Sequence, residues 1–133
     1  MNKNSKIFKT REGTLDLSAS VTRVGEDVVV IIWGGEKPHI GAVALAQPRK
    51  SLKDAEKTSA TASVLSIVGH KEDAVVKAVS ERLAAAVGSP VAVTAGMHWE
   101  SLQAKDIRQV LKNVESLTAM VEKYLRSLSA GDS

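Results

Sequence analysis

The strongest constraint on the fold is a bend between two apolar runs. Val28-Val29-Val30-Ile31-Ile32 leads into Trp33, and a second run spans Ile40 to Ala46. Near-continuous β-branched residues suit a strand in the middle of a sheet. Between the runs lie Gly34, Gly35, Glu36, Lys37, Pro38 and His39. Glycine and proline mark a turn, yet a tight hairpin needs a loop of only about two residues. The surplus puts Glu36, Lys37 and His39 at a strand end, where a rigid sheet can present them. Two other strand-like segments end alike, at Gly69-His70-Lys71 and at Ala95-Gly96-Met97-His98. Each of the 3 histidines therefore follows or interrupts an apolar strand near a glycine. They are expected to converge on one small-ligand site.

From Thr14 to Val24, Leu15, Leu17, Ala19 and Val21 alternate with polar residues, as in a half-exposed strand. Gly25-Glu26-Asp27 turns the chain into the Val28–Trp33 strand, and Ile40–Ala46 follows as the third strand of an expected antiparallel meander. Gln47 to Asp54 is a polar loop in which Pro48 opposes regular structure. Thr58 to Val68 is a fourth strand. Its small residues Ser59, Ala60 and Ala62 either admit a ligand to the backbone or pack closely on a neighbour. Val75, Val76, Val79, Leu83 and Val87 recur at helical spacing, with Glu72 and Asp73 at the positive helix end and Gly88 as the stop. Pro90–Thr94 is a fifth strand. Ile107, Val110, Leu111, Val114, Leu117, Val121, Tyr124, Leu125 and Leu128 form the apolar stripe of a helix from about Ala104 to Leu128.

The predicted architecture is an α+β two-layer domain, a mostly antiparallel β-sheet with two amphipathic helices, in the order β-β-β-β-α-β-α. One domain spans residues 1–133, with flexible ends at about 1–8 and 129–133. Two helices cover one face of such a sheet. The other face still carries apolar residues, so a homodimer or larger assembly is expected.

The chain is 133 residues long, 44% hydrophobic, with 18 basic and 15 acidic residues. A net charge of +3 with few, scattered aromatics argues against nucleic-acid binding. No apolar run approaches the ~18 residues of a membrane span. The basic start is not followed by an apolar stretch, so no secretory leader is expected and the chain is placed in the cytoplasm. It has no cysteine, which excludes disulfides and thiolate chemistry.

His39, His70 and His98 offer imidazoles for a transition metal, but their spacing matches no metal motif. They equally suit hydrogen bonding or proton transfer on an organic ligand. Gly41, Gly69 and Gly96 would let a flat ligand approach the backbone, and Lys37, Arg49, Lys50 and Lys71 would meet an anion, each lysine being more readily explained singly as a solvated loop charge. For Gly34, Gly35 and Gly41, turn geometry is an equal explanation. Phosphate loops, dinucleotide fingerprints and nucleophile elbows are absent.

The blocks Gly34-Gly-Glu-Lys-Pro-His-Ile-Gly-Ala-Val-Ala44, Gln47-Pro-Arg49, Gly69-His-Lys71 and Val93-Thr-Ala-Gly-Met-His98 resemble the small LpdD-type proteins. That family comprises prenylated-flavin chaperones encoded beside UbiD-type decarboxylases. The resemblance covers roughly Ser18 to Val110. It implies a proteasome-assembly-chaperone-like fold, prenylated FMN as ligand and a UbiD-type decarboxylase as partner. Carried over position by position, His39, His70 and His98 would contact the flavin or its phosphate, with Arg49 and Lys71 as phosphate partners. Gly34, Gly35, Lys37, Pro38, Ile40, Gly41, Gly69 and Gly96 would complete the cofactor-binding set. The family pattern has an aspartate two residues after the third histidine, where this chain has Glu100. The expected role is to accept prenylated FMN and deliver it to the decarboxylase, with oxidation of the reduced cofactor left open. The alternatives are a protein-only assembly factor and a histidine-metal enzyme.

Overall fold

The computed structural model describes residues 4–67 and 72–131. Its elements are β1 (Ser5–Lys9), β2 (Leu17–Val24), β3 (Asp27–Gly35), β4 (Ala42–Lys50), β5 (Thr58–Ser66), α1 (Asp73–Val87), β6 (Val91–His98) and α2 (Ala104–Gly131). The α+β class and the two amphipathic helices are as expected. One strand is additional: residues 5–8, expected in a loose N-terminal end, form most of β1, paired antiparallel with β2. The helical tail also reaches Gly131 rather than ending near Leu128.

The sheet order is β1-β2-β3-β6-β4-β5. The expected meander of β2, β3 and β4 is therefore not formed. β3 pairs with β2 on one side, but on the other it pairs parallel with β6, which in turn pairs antiparallel with β4. The long bend after Trp33 has its explanation here. The chain must step across the end of β6 before it enters β4, and a two-residue turn spans only adjacent strands. Among the described residues the β3–β6 pair is the one parallel step in the sheet, and it needs the long crossover through β4, β5 and α1.

Pro48 lies inside β4, opposite Ala60 of β5, rather than in a loop. β6 pairs with β4 only as far as Ala46. Beyond it β4 has a neighbour on one side alone, and such an edge tolerates a residue without an N–H.

Alternation sends Leu17, Ala19, Val21, Val28, Val30, Ile32, Val91, Val93 and Ala95 into the core, where all are buried. Both helices lie on that side. α1 covers β4, β5 and β6, and α2 covers β1 and β2. Val76, Val79 and Leu83 of α1 and Leu117, Val121 and Leu125 of α2 close the core. The strands below α1 present Ala42, Ala44 and Ala46, with Ala60 and Ala62 packed against the same cluster. These small side chains let the helix sit close to the sheet, which accounts for Ala60 and Ala62. Gly88 ends α1 in the left-handed conformation at φ 69, and its N–H donates to the Ala84 carbonyl at 2.9 Å. Asn113, buried in α2, donates from Nδ2 to the Leu15 carbonyl at 2.8 Å, tying the helix to the approach of β2.

Among the described residues no layer covers the opposite face of the sheet. Ile31, Val43, Leu45 and Leu65 are exposed there. Register aligns Ile31 with Thr94, Thr94 with Val43, and Val43 with Leu65, so one row crosses four strands.

Candidate functional site

β3 and β6 run parallel and end together, with Gly35 beside His98. The residue 36–41 connection crosses this end, and Gly41 donates its N–H to the Ala95 carbonyl at 2.9 Å as β4 begins. The carboxyl ends of parallel strands beside a helix N-terminus form the crevice where open α/β sheets bind ligands. His39 and His98 both stand at this end of the sheet. Gly69, His70 and Lys71 lie outside the described residues.

The glycines owe their identity to the chain's own packing. A Cβ at Gly96 would overlap the His39 carbonyl group, because the connection lies directly against β6. At Gly35, with φ 83, it would overlap the His98 carbonyl. At Gly34 it would crowd Leu17, and at Gly41 it would overlap the carboxylate of Glu72. The flat approach expected at Gly41 and Gly96 is thus taken, on the side where a Cβ would stand, by this protein's own atoms. Pro38 stiffens the same connection, and Ile40 stands 61% exposed beside it.

His39 is held through Nδ1, and its Nε2 faces a carboxylate. Its Nδ1 lies 2.9 Å from the Lys37 carbonyl oxygen. Its Nε2 lies 3.2 Å from Oε1 of Glu72, the residue just before α1. Glu72 is 7% exposed, and the same Oε1 accepts the Met97 N–H at 3.3 Å. Its other oxygen, Oε2, is buried without a hydrogen-bond donor among the described residues. On sequence grounds Glu72 was a helix-dipole residue only. The fold makes it a junction of the connection, β6 and α1.

His98 and Lys37 share a second carboxylate. Glu100 Oε1 lies 3.3 Å from His98 Nε2 and 3.5 Å from Lys37 Nζ. The His98 contact, followed by the Lys37 charge, holds the Glu100 carboxyl below its ordinary range. A carboxyl lowered by folding adds stability above its unfolded value and loses it as pH falls through the folded one. Glu100→Gln should therefore lower the melting temperature near neutrality, and the gap to wild type should close as pH is brought down towards 3. Paired thermal melts across that range check it.

Arg49 is not brought to this end. It is seven residues beyond Ala42 on β4, which at ~3.3 Å per residue puts it ~23 Å along the strand. Its Nε donates to Thr61 Oγ1 at 2.7 Å, and its Nη1 to the Lys50 carbonyl at 3.1 Å. The hollows of about 310, 370 and 420 Å³ also lie elsewhere, along the helices or at the opposite end of the sheet, and none of these touches a histidine. The histidine end is a surface, floored by strand termini and edged by Ile40 and Ile67, the latter 53% exposed.

The family model of the prenylated flavin chaperone LpdD-like domain matches residues 11–126. The chain belongs to this family. The match runs from before β2 into the last turns of α2, so it includes the whole histidine end. No curated protein matches the chain. Among solved structures, a chain from a chaperone complex for yeast 20S proteasome assembly is similar, with a TM-score of 0.58 and 11% identity. The superposition covers 92% of this chain and 98% of that one. At that identity the likeness concerns the fold alone. It agrees with the proteasome-assembly-chaperone-like architecture expected from the LpdD resemblance. Among the described residues no group of three or more metal-ligating side chains gathers, and no helix is long and apolar enough to cross a membrane.

Proposed function

We propose that this LpdD-like chain binds prenylated FMN at the histidine end of its sheet and hands it to a UbiD-type decarboxylase. The observation that carries the reading is the meeting of His39, His98 and Lys37 at the carboxyl ends of the parallel β3–β6 pair, in a chain of the prenylated flavin chaperone family. The residues suit the cofactor's parts. Ile40 and Ile67 offer apolar surface to a ring system bearing a prenyl-derived group. The half-exposed His98 imidazole suits a hydrogen bond to a heteroatom, the His39 ring offers a flat face, and the exposed Lys37 ammonium is available to a phosphate. When bound, the cofactor brings the decarboxylation chemistry to the partner enzyme, and this chain holds and orients it.

Anaerobic titration with prenylated FMN and with plain FMN, followed by the flavin spectrum, tests this reading. Saturable binding of the prenylated form is expected, weakened about tenfold in His39→Ala, equivalent to ~1.4 kcal/mol. If neither flavin binds while the decarboxylase polypeptide is captured, the role is protein-only assembly.

The uncovered face supports a second copy as its cover. The Ile31–Thr94–Val43–Leu65 row is apolar except for Thr94, whose Oγ1 is shielded without a partner among the described residues. Exposed contiguous apolar area of this kind marks an association surface. A Val43→Lys/Leu65→Lys variant should remain folded and elute as a monomer, with wild type as a dimer by light scattering. A monomeric wild type would reject this part.

A further inference from the structure

We propose that Glu72 is the positioning residue of the histidine end, its buried carboxylate fixing the His39 imidazole that faces the ligand. The assignment deepens the proposed binding of prenylated FMN and takes its ligand from that reading. Three contacts carry it. Oε1 lies 3.2 Å from His39 Nε2, the same atom accepts the Met97 N–H at 3.3 Å, and Oε2 packs where a Cβ at Gly41 would stand. One side chain thus joins α1 to β6 and to both ends of the His39-Ile40-Gly41 segment.

The hydrogen-bond inventory adds a chemical consequence. A carbonyl oxygen only accepts, so His39 Nδ1, 2.9 Å from the Lys37 oxygen, carries the ring hydrogen. Nε2 then turns its lone-pair edge to Glu72, with Oε1 at 3.2 Å. A carboxylate that orients an imidazole and fixes its tautomer recurs wherever histidine must present a defined face.

A purely structural explanation also exists. An acid beside the first turn of a helix is favoured by the helix dipole. That role would alter stability when Glu72 changes, but it would leave the His39 ring unmoved. The two are separable.

Long-range proton–nitrogen spectra of the full chain, without ligand, read the rings directly. In Glu72→Gln, the His39 Nε2 signal should move while the His98 ring signals stay, since His98 contacts Glu100 instead. Gly41→Ala, which crowds the carboxylate without removing it, should move the same His39 signal. An unchanged His39 Nε2 signal in folded Glu72→Gln and Gly41→Ala overturns the proposal. Titrations with prenylated FMN then compare His39→Gln, Glu72→Gln and the double variant. Each single change should weaken binding about tenfold, and the double change no further, because Glu72 acts through His39. Additive losses would mean that Glu72 contacts the ligand itself, and would overturn the positioning role. If wild type fails to bind prenylated FMN while the His39 signal still moves, the binding reading falls and the positioning of His39 stands.

Discussion

Gly96→Ala should lower the thermal unfolding midpoint by about 10 °C. The new methyl would overlap the His39 carbonyl, which is backbone and cannot swing aside. To admit it, the 36–41 connection must lift off β6, straining the Gly41 N–H bond to the Ala95 carbonyl and the Glu36 N–H bond to the His98 carbonyl, now 2.9 and 2.8 Å. Overpacking of this kind costs about 3 kcal/mol, and in a domain of this size each kcal/mol shifts the midpoint by roughly 3–4 °C. Gly41→Ala is the control. Its methyl meets the end of a side chain, Glu72, so the backbone can stay and the loss should be clearly smaller. Calorimetry on the two variants decides it. Equal losses would mean that the connection does not lie against β6 as described.

Leu83→Ala should cost about 3 kcal/mol, within the usual 2–5 kcal/mol for a buried leucine. Leu83 is 0% exposed and sits in the middle of α1 above the sheet. Ala42, Ala44 and Ala46 form the strand surface under this helix. Their methyl groups cannot extend to refill the space, so the cavity persists and the loss should not be relieved by repacking. Leu111→Ala, at a position 53% exposed on α2, should stay within about 0.5 kcal/mol. Urea unfolding with an unchanged denaturant slope checks both. A loss below about 1 kcal/mol at Leu83 would contradict the packing of α1 on the alanine strands.

Much of this architecture was legible because it is local. The alternation of Leu17, Ala19 and Val21, the α2 stripe and the Gly88 stop each depend on residues within a few positions. β1 was missed because Ser5–Lys9 carries three polar residues in five and borders the sheet on one side only. Pro48 misled for a related reason: its effect depends on whether β4 has one neighbour or two at that point. The surplus length of the Gly34–His39 bend was visible in the sequence, but its purpose was not, since nothing near it reveals that β6 inserts between β3 and β4.

The site divides in the same way. A histidine near a glycine at each strand end was readable, and His39 and His98 do share one end of the sheet. The glycines had two readings, turn geometry or ligand approach, and the fold adds a third cause, since the Cβ space at Gly34, Gly35, Gly41 and Gly96 is filled by the chain. Glu72 carried no local signal beyond its place at a helix start, and Arg49 looked like a site cation until register put it at the far end of β4. The sequence by itself determined the α+β class, the amphipathic helices and the LpdD-type blocks, because periodicity and short motifs are properties of neighbouring residues. Only the tertiary structure decided the strand order, the pairing of Glu72 with His39 and the separation of Arg49 from the two histidines. Each of these rests on contacts between distant segments, which exist only once β6 has taken its place in the sheet.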